Sequence, residues 1–120
     1  MKAFFKGFVF AFNGIKLLIA TERNARFHLF VAFLLIPMMI YFPLSQGEVT
    51  TTILCISLVL AAEAFNSALE RLANRITSEH DNLIGQAKDL AAAAVLILSI
   101  GSAIIGLIIY LPHIIQLFSS

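Results

Sequence analysis

Apolar residues fill three long stretches of this chain, and polar residues gather before and between them. Residues 27–44 contain no Asp, Glu, Lys or Arg and are interrupted by His28 and Pro37, with Pro43 near the end. A second stretch begins at Val49 and stays free of those four types until Glu63, and a third runs from Leu90 to the end. A bilayer core takes about 20 helical residues. The pattern therefore predicts membrane helices over 26–44, 49–74 and 90–112, the second reaching full length only with its polar end included. Pro37 should kink the first, which membrane helices tolerate better than soluble ones. Ahead of these, Phe4, Phe8, Phe12, Ile15 and Ile19 recur at helical spacing, with Lys2, Lys6, Asn13 and Lys16 on another face. That predicts an amphipathic helix over residues 1–20 lying on the membrane surface. It is not a signal peptide, because Lys6 and Lys16 interrupt any apolar core and no small-residue cleavage site follows. The expected fold class is all-α: one integral-membrane domain, residues 1–120, with three transmembrane helices and an N-terminal surface helix.

Composition and charge sharpen this picture. At 60% hydrophobic and 12% charged residues, the chain is far from an average soluble domain. Its basic residues, Lys2, Lys6, Lys16, Arg23, Arg26, Arg71, Arg75 and Lys88, all precede the first span or separate the second from the third. The positive-inside rule makes that side cytoplasmic, with the N-terminus inside and the C-terminus outside. Six acidic residues follow the same division, and only Glu48 falls on the outer side. A helix break is expected within residues 77–82. Cys55, the single cysteine, cannot form an intrachain disulfide and reads as a small packing or lipid-facing residue. A nucleic-acid partner is not expected.

The candidate chemistry lies where the second span turns polar. Glu63, Asn66 and Glu70 stand at i, i+3 and i+7 on one helical face, and ionisable groups in a membrane helix are functional-site hypotheses by default. Counted from Val49, Glu63 is ~21 Å along the helix and Glu70 ~10 Å further. The set thus grades from a carboxylate near lipid to one near water, which is what a reaction between a lipid and a soluble phosphate donor requires. Phosphoryl transfer needs metal ions, a cation for the phosphates and a group to orient the attacking hydroxyl. Glu63 suits the general base, Glu22 and Glu70 suit Mg²⁺, and Lys88 with Asp89 suits phosphate. The small residues 91–94 allow close helix approach, which would bring Lys88 and Asp89 against the Glu63–Glu70 face. No phosphate-binding glycine loop of either familiar kind occurs.

Blander readings stand beside these. Glu22 and Arg26 form an ordinary i, i+4 helical pair; Glu70 with Arg71 marks a solvated helix end; Lys88 and Asp89 are interface anchors. His28 packs at headgroup level rather than serving as a ligand, and His80 and His113 carry no partner signal. A small cation-coupled transporter is the alternative function, but a transport carboxylate prefers the midplane, whereas these polar residues cluster at one end. A noncatalytic membrane subunit would need no such ordered set.

Three blocks, residues 22–28 (Glu-Arg-Asn-Ala-Arg-Phe-His), 62–70 (Ala-Glu-Ala-Phe-Asn-Ser-Ala-Leu-Glu) and Ala87-Lys88-Asp89 with its following alanines, resemble the small bacterial membrane lipid kinases, diacylglycerol kinase and undecaprenol kinase. The blocks are weak singly and specific together, and the resemblance covers nearly the whole chain. It implies an ATP- and Mg²⁺-dependent kinase of the bacterial inner membrane, acting on a lipid alcohol within phospholipid metabolism. It implies a homotrimer with active sites shared between subunits. By matching position, Glu63 would be the base, Glu22 and Glu70 the metal ligands, and Asn66, Lys88 and Asp89 the nucleotide and phosphate site. Lys6 and Phe10 fall where the surface helix contacts nucleotide. The first block looks more like undecaprenol-type members. Asn74 departs from the pattern, standing where many members carry aspartate, and Phe10 and Phe12 stand where some carry Tyr or Trp.

Overall fold

The computed structural model describes residues 1–119, so Ser120, the last residue of the expected single domain, lies outside the described residues. Four helices follow in order: α1 (Lys2–Thr21), α2 (Arg23–Tyr41), α3 (Gln46–Ile76) and α4 (Asn82–Ser119), and no strand occurs among the described residues. By length and composition all four are apolar enough to cross a membrane, α1 included.

Each helix break has a local cause. Glu22 alone separates α1 from α2, in an extended conformation with φ −107° and ψ 111°. Phe42, just before Pro43, is held extended, as residues preceding proline are. Ser45 then starts α3 with a reciprocal cap: its Oγ accepts the Glu48 N–H at 3.1 Å, and Glu48 Oε1 accepts the Ser45 N–H at 3.0 Å. The break expected within 77–82 is present. Asp81 Oδ1 accepts the N–H groups of Leu83 and Ile84 at 3.0 and 3.1 Å and so begins α4. That moves the start of the last helix well ahead of residue 90, because Asp81 caps it and nothing between Asn82 and Asp89 breaks it. Helix α2 likewise begins earlier than residue 26, and both α2 and α4 continue through a proline, Pro37 and Pro112.

Helix α3 is the centre. It packs most extensively on α4, then on α2, and also touches α1, whereas neither α1 nor α2 closely approaches α4. The buried set is small: Ala25, Ala32, Thr52, Val59, Glu63, Ser67, Ala73, Ile109 and Tyr110. Small and hydroxylic side chains of this kind allow close helix packing in lipid. Deeper in α3, Thr52 Oγ1 donates to the Glu48 carbonyl at 2.8 Å and lies 3.0 Å from the Tyr110 hydroxyl, tying α3 to α4. Large apolar residues cover the outside of every helix, among them Phe30, Phe33, Leu54, Ile97 and Ile108. In water such a surface would drive association; in a bilayer it meets its own kind. None of the nine buried residues belongs to α1.

Candidate active site

The junction between α1 and α2 is fastened to α3. Arg26 Nη1 donates to the carbonyls of Ile19 at 2.8 Å and Ala20 at 3.1 Å, satisfying acceptors that the end of α1 leaves open. Glu22 Oε1 accepts Ser67 Oγ at 2.9 Å and lies 3.7 Å from Arg71 Nη2. The same Arg71 nitrogen donates to Thr21 Oγ1 at 2.7 Å. The ordinary helical pair expected between Glu22 and Arg26 does not form. Glu22 stands outside the helix in extended backbone, so the i, i+4 geometry that such pairs need is absent, and each side chain finds a different partner.

One turn before Ser67 lies Glu63, only 2% exposed although its neighbours on either side, Ala62 and Ala64, are more open. Its Oε1 is buried without a hydrogen-bond partner among the described residues. Facing it is His28 of α2, with Nε2 at 3.4 Å from Oε1 and a side chain 24% exposed. An unsatisfied polar atom at this depth is costly, so such an atom is an informative departure. Glu63, Ser67 and Arg71 form an i, i+4, i+8 stripe, each met by a residue from 21–28. Sequence reasoning followed the i, i+3, i+7 set instead and missed His28, Ser67, Arg71 and Thr21. The 63–67–71 spacing was the available signal, whereas nothing in the sequence says which residue of α2 faces Glu63.

The remaining candidates on α3 and α4 lie further out than Glu63. Asn66 is half-buried and Glu70 exposed, so exposure rises from Glu63 to Glu70 on the face these three share. Lys88 Nζ donates to Asn74 Oδ1 at 3.0 Å, placing α4's cation one turn beyond Glu70. Asp89 is exposed, as are Lys6 and Phe10 on α1. No described hydrogen bond or ion pair links Lys6, Phe10, Asn66, Glu70 or Asp89 to Glu22 or Glu63, and no three His, Cys, Asp or Glu side chains cluster as a metal site among the described residues.

An apolar cavity of about 560 Å³ opens between α2 and α4 over the face of α3. His28 belongs to its wall, with Ala32, Cys55, Val59 and Ser99, and the Thr52 and Tyr110 pair stands at the far end. It exists because α2 and α4 flank α3 without closing on each other. Its volume falls within the usual range for ligand pockets, and a mostly apolar wall with a few polar groups is their usual chemistry.

The chain is similar to proteins of one family. The family model described as prokaryotic diacylglycerol kinase matches residues 9–110. Undecaprenol kinase of Bacillus subtilis is 38% identical over 112 residues, covering 93% of this chain and 91% of its own. Diacylglycerol kinase of Haemophilus influenzae is 34% identical over 88 residues, 73% of this chain and 75% of its own. Diacylglycerol kinase of Escherichia coli is 42% identical over a shorter match of 69 residues, 55% of this chain and 57% of its own.

Proposed function

The chain belongs to the prokaryotic diacylglycerol kinase family and is a lipid kinase; from that premise we propose that it transfers the γ-phosphate of ATP to the primary hydroxyl of a membrane lipid alcohol, diacylglycerol or undecaprenol, at the cytoplasmic interface. The observation that carries this reading is Glu63, a buried carboxylate one turn past Val59 and facing His28, both of which line the apolar cavity. A lipid tail lying in that cavity would bring its hydroxyl from the bilayer toward Glu63. Glu63 takes the proton as the lipid O–H bond breaks and the oxygen bonds to phosphorus. The bond from the γ-phosphorus to the bridging oxygen breaks and ADP leaves. Holding both reactants in line supplies much of the rate.

The other residues serve the donor. Glu22 and Glu70 would hold Mg²⁺, whose chemistry there is neutralisation of phosphate charge. The donors fit: both are oxygen ligands, Glu22 is fixed by Ser67, and Glu70 has no competing partner among the described residues. Lys88, with Asn66 and Asp89, takes the phosphates and nucleotide, and Lys6 and Phe10 reach it from α1.

In the membrane, α1 lies on the inner surface and α2, α3 and α4 span. The N-terminus is cytoplasmic and the C-terminus outside, as the basic residues favour. The 38 residues of α4 measure about 57 Å, roughly 27 Å more than the hydrocarbon core. Its early turns, with Lys88 and Asp89, therefore stand in water. Three copies assemble with shared sites, consistent with the open apolar flanks of α2 and α4. The longer match to undecaprenol kinase favours undecaprenol.

A mixed-micelle assay with labelled ATP, run side by side on the two lipids, tests the proposal. It expects a labelled phosphorylated lipid, dependent on Mg²⁺ and lost in Glu63→Gln, with undecaprenol turned over faster. Wild-type-like turnover by Glu63→Gln would reject the base assignment, and equal or better turnover of diacylglycerol would reject the lipid preference. None of the relatives named above is a transporter.

A further inference from the structure

The polar atom nearest to the unsatisfied oxygen of Glu63 that any ion pair or hydrogen bond identifies is His28 Nε2, at 3.4 Å. At that distance the pair is an ion-pair contact and not yet a good hydrogen bond, and catalytic hydrogen bonds are often long before substrate arrives. His28 is the right kind of residue for this place. A neutral imidazole with its proton on Nε2 donates one hydrogen bond and carries no charge, so it orients a carboxylate without cancelling the negative charge that makes it a base. A lysine or arginine there would hold Glu63 as an ion pair and weaken it as a proton acceptor. His28 also walls the cavity, so the contact sits where the substrate's hydroxyl would enter.

We propose that His28 is a positioning residue of the reaction: its Nε2–H engages Glu63 Oε1, fixes the carboxylate's rotation and leaves Oε2 to take the proton of the lipid hydroxyl. The proposal rests on Glu63 being the base. It adds a residue from α2 and explains how a buried carboxylate can lack any other partner. The α3 side of the pair offers no substitute, since Ser67 gives its hydrogen to Glu22, and Arg71 is turned to Thr21 and Glu22.

Two substitutions separate donor from shape. His28→Leu removes the donor and keeps an apolar wall. His28→Gln places an amide N–H close to where Nε2 stands. Outer partners that orient a working ligand typically matter by 10–100-fold. Accordingly, His28→Leu should lower kcat about 10–100-fold with KM for lipid and for ATP little changed, and His28→Gln should recover most of that loss. Wild-type kcat in His28→Leu would overturn the proposal. So would a His28→Gln variant no better than His28→Leu, or a rise in lipid KM at unchanged kcat, which would make His28 only a cavity wall.

Should His28→Leu not fold in detergent, the full chain labelled with ¹⁵N-histidine gives a second reading. Glu63→Gln should move the His28 Nε2 resonance, and an unmoved resonance would overturn the contact. The two assignments fail differently. A dead Glu63→Gln with an active His28→Leu removes only the role of His28. An active Glu63→Gln with an impaired His28→Leu removes the base, and the positioning role with it.

Discussion

A histidine faces a glutamate at each end of this bundle, and the two pairs are built for opposite ends. Near one end of α3, Glu48 Oε2 lies 4.0 Å from His113 Nε2, and His113 stacks on Phe42 with ring centroids 5.3 Å apart. Glu48 is already committed, because its other oxygen accepts the Ser45 N–H as half of a helix cap. Past the middle of α3, beside the first turns of α2, Glu63 meets His28 at 3.4 Å with its oxygen unbonded and its side chain only 3% exposed. The first carboxylate completes the backbone of a helix terminus, where water can reach it. The second completes nothing in its own helix and is kept from water. Residue type alone does not mark a site; the unmet bonding capacity of a buried group does.

The two glutamates should differ most when each is exchanged for glutamine in turn. At the buried end, Glu63→Gln removes the proton acceptor and keeps the shape, so turnover in the mixed-micelle assay should fall by about 10²–10⁴-fold, the range general bases supply. At the capped end, Glu48→Gln should leave turnover within about twofold, since it touches no reacting atom and loses only part of a cap. Equal losses at both ends would mean that a general loss of helix integrity, not proton transfer, explains the first effect.

A smaller effect should follow from loosening Glu22. Ser67 is buried and gives its only hydrogen to Glu22, so Ser67→Ala leaves that carboxylate held by Arg71 alone. If Glu22 binds Mg²⁺, the Mg²⁺ concentration for half-maximal rate should rise about tenfold, as is usual when a ligand's outer partner is lost. An unchanged Mg²⁺ dependence would reassign Glu22 to structure, making it resemble Glu48 rather than Glu63.

The helices and the polar face of α3 were legible in the sequence because lipid imposes long apolar runs, and the charges they exclude must collect at the ends. The break within 77–82 was legible from composition as well. Three features were not. Glu22 lies in a single extended residue with no glycine or proline to announce it, so its expected pairing with Arg26 presumed a continuous helix. His28 faces Glu63 only through the rotation of α2 about its axis, which packing sets and residue spacing within α2 does not. Lys88 was expected against the Glu63–Glu70 face; its bond is to Asn74, one turn past Glu70 on that face, a partner that spacing within α4 does not name.

That bond gives a still smaller prediction. Asn74 holds Lys88 as a neutral acceptor and leaves its charge available for phosphate. Asn74→Asp would turn the contact into an exposed ion pair, worth ~0.2–1 kcal/mol. If Lys88 must leave that pair to meet ATP, KM for ATP should rise by up to about fivefold at low salt, with kcat nearly unchanged. A fall in KM would mean that aspartate aims Lys88 better than asparagine does, and that Lys88 acts through position more than charge. Lys88→Ala should have the larger effect on KM, since it removes the cation itself.

The smallest effect on turnover should come from Ser45→Ala at the far end of α3. The substitution takes away the oxygen that accepts the Glu48 N–H and leaves Glu48 with one half of a reciprocal cap. Losing such a cap costs about 1 kcal/mol, so thermal unfolding in detergent should begin at a lower temperature. Turnover measured well below that temperature should match wild type, because Ser45 and Glu63 are separated by 18 positions along one helix, or about 27 Å. Lowered turnover at such a temperature would mean that α3 passes strain from its cap to Glu63. The two ends would then be one device, and the contrast between a structural and a working glutamate would fail. Unchanged turnover with lowered stability keeps them separate: one end holds the helix, the other uses it.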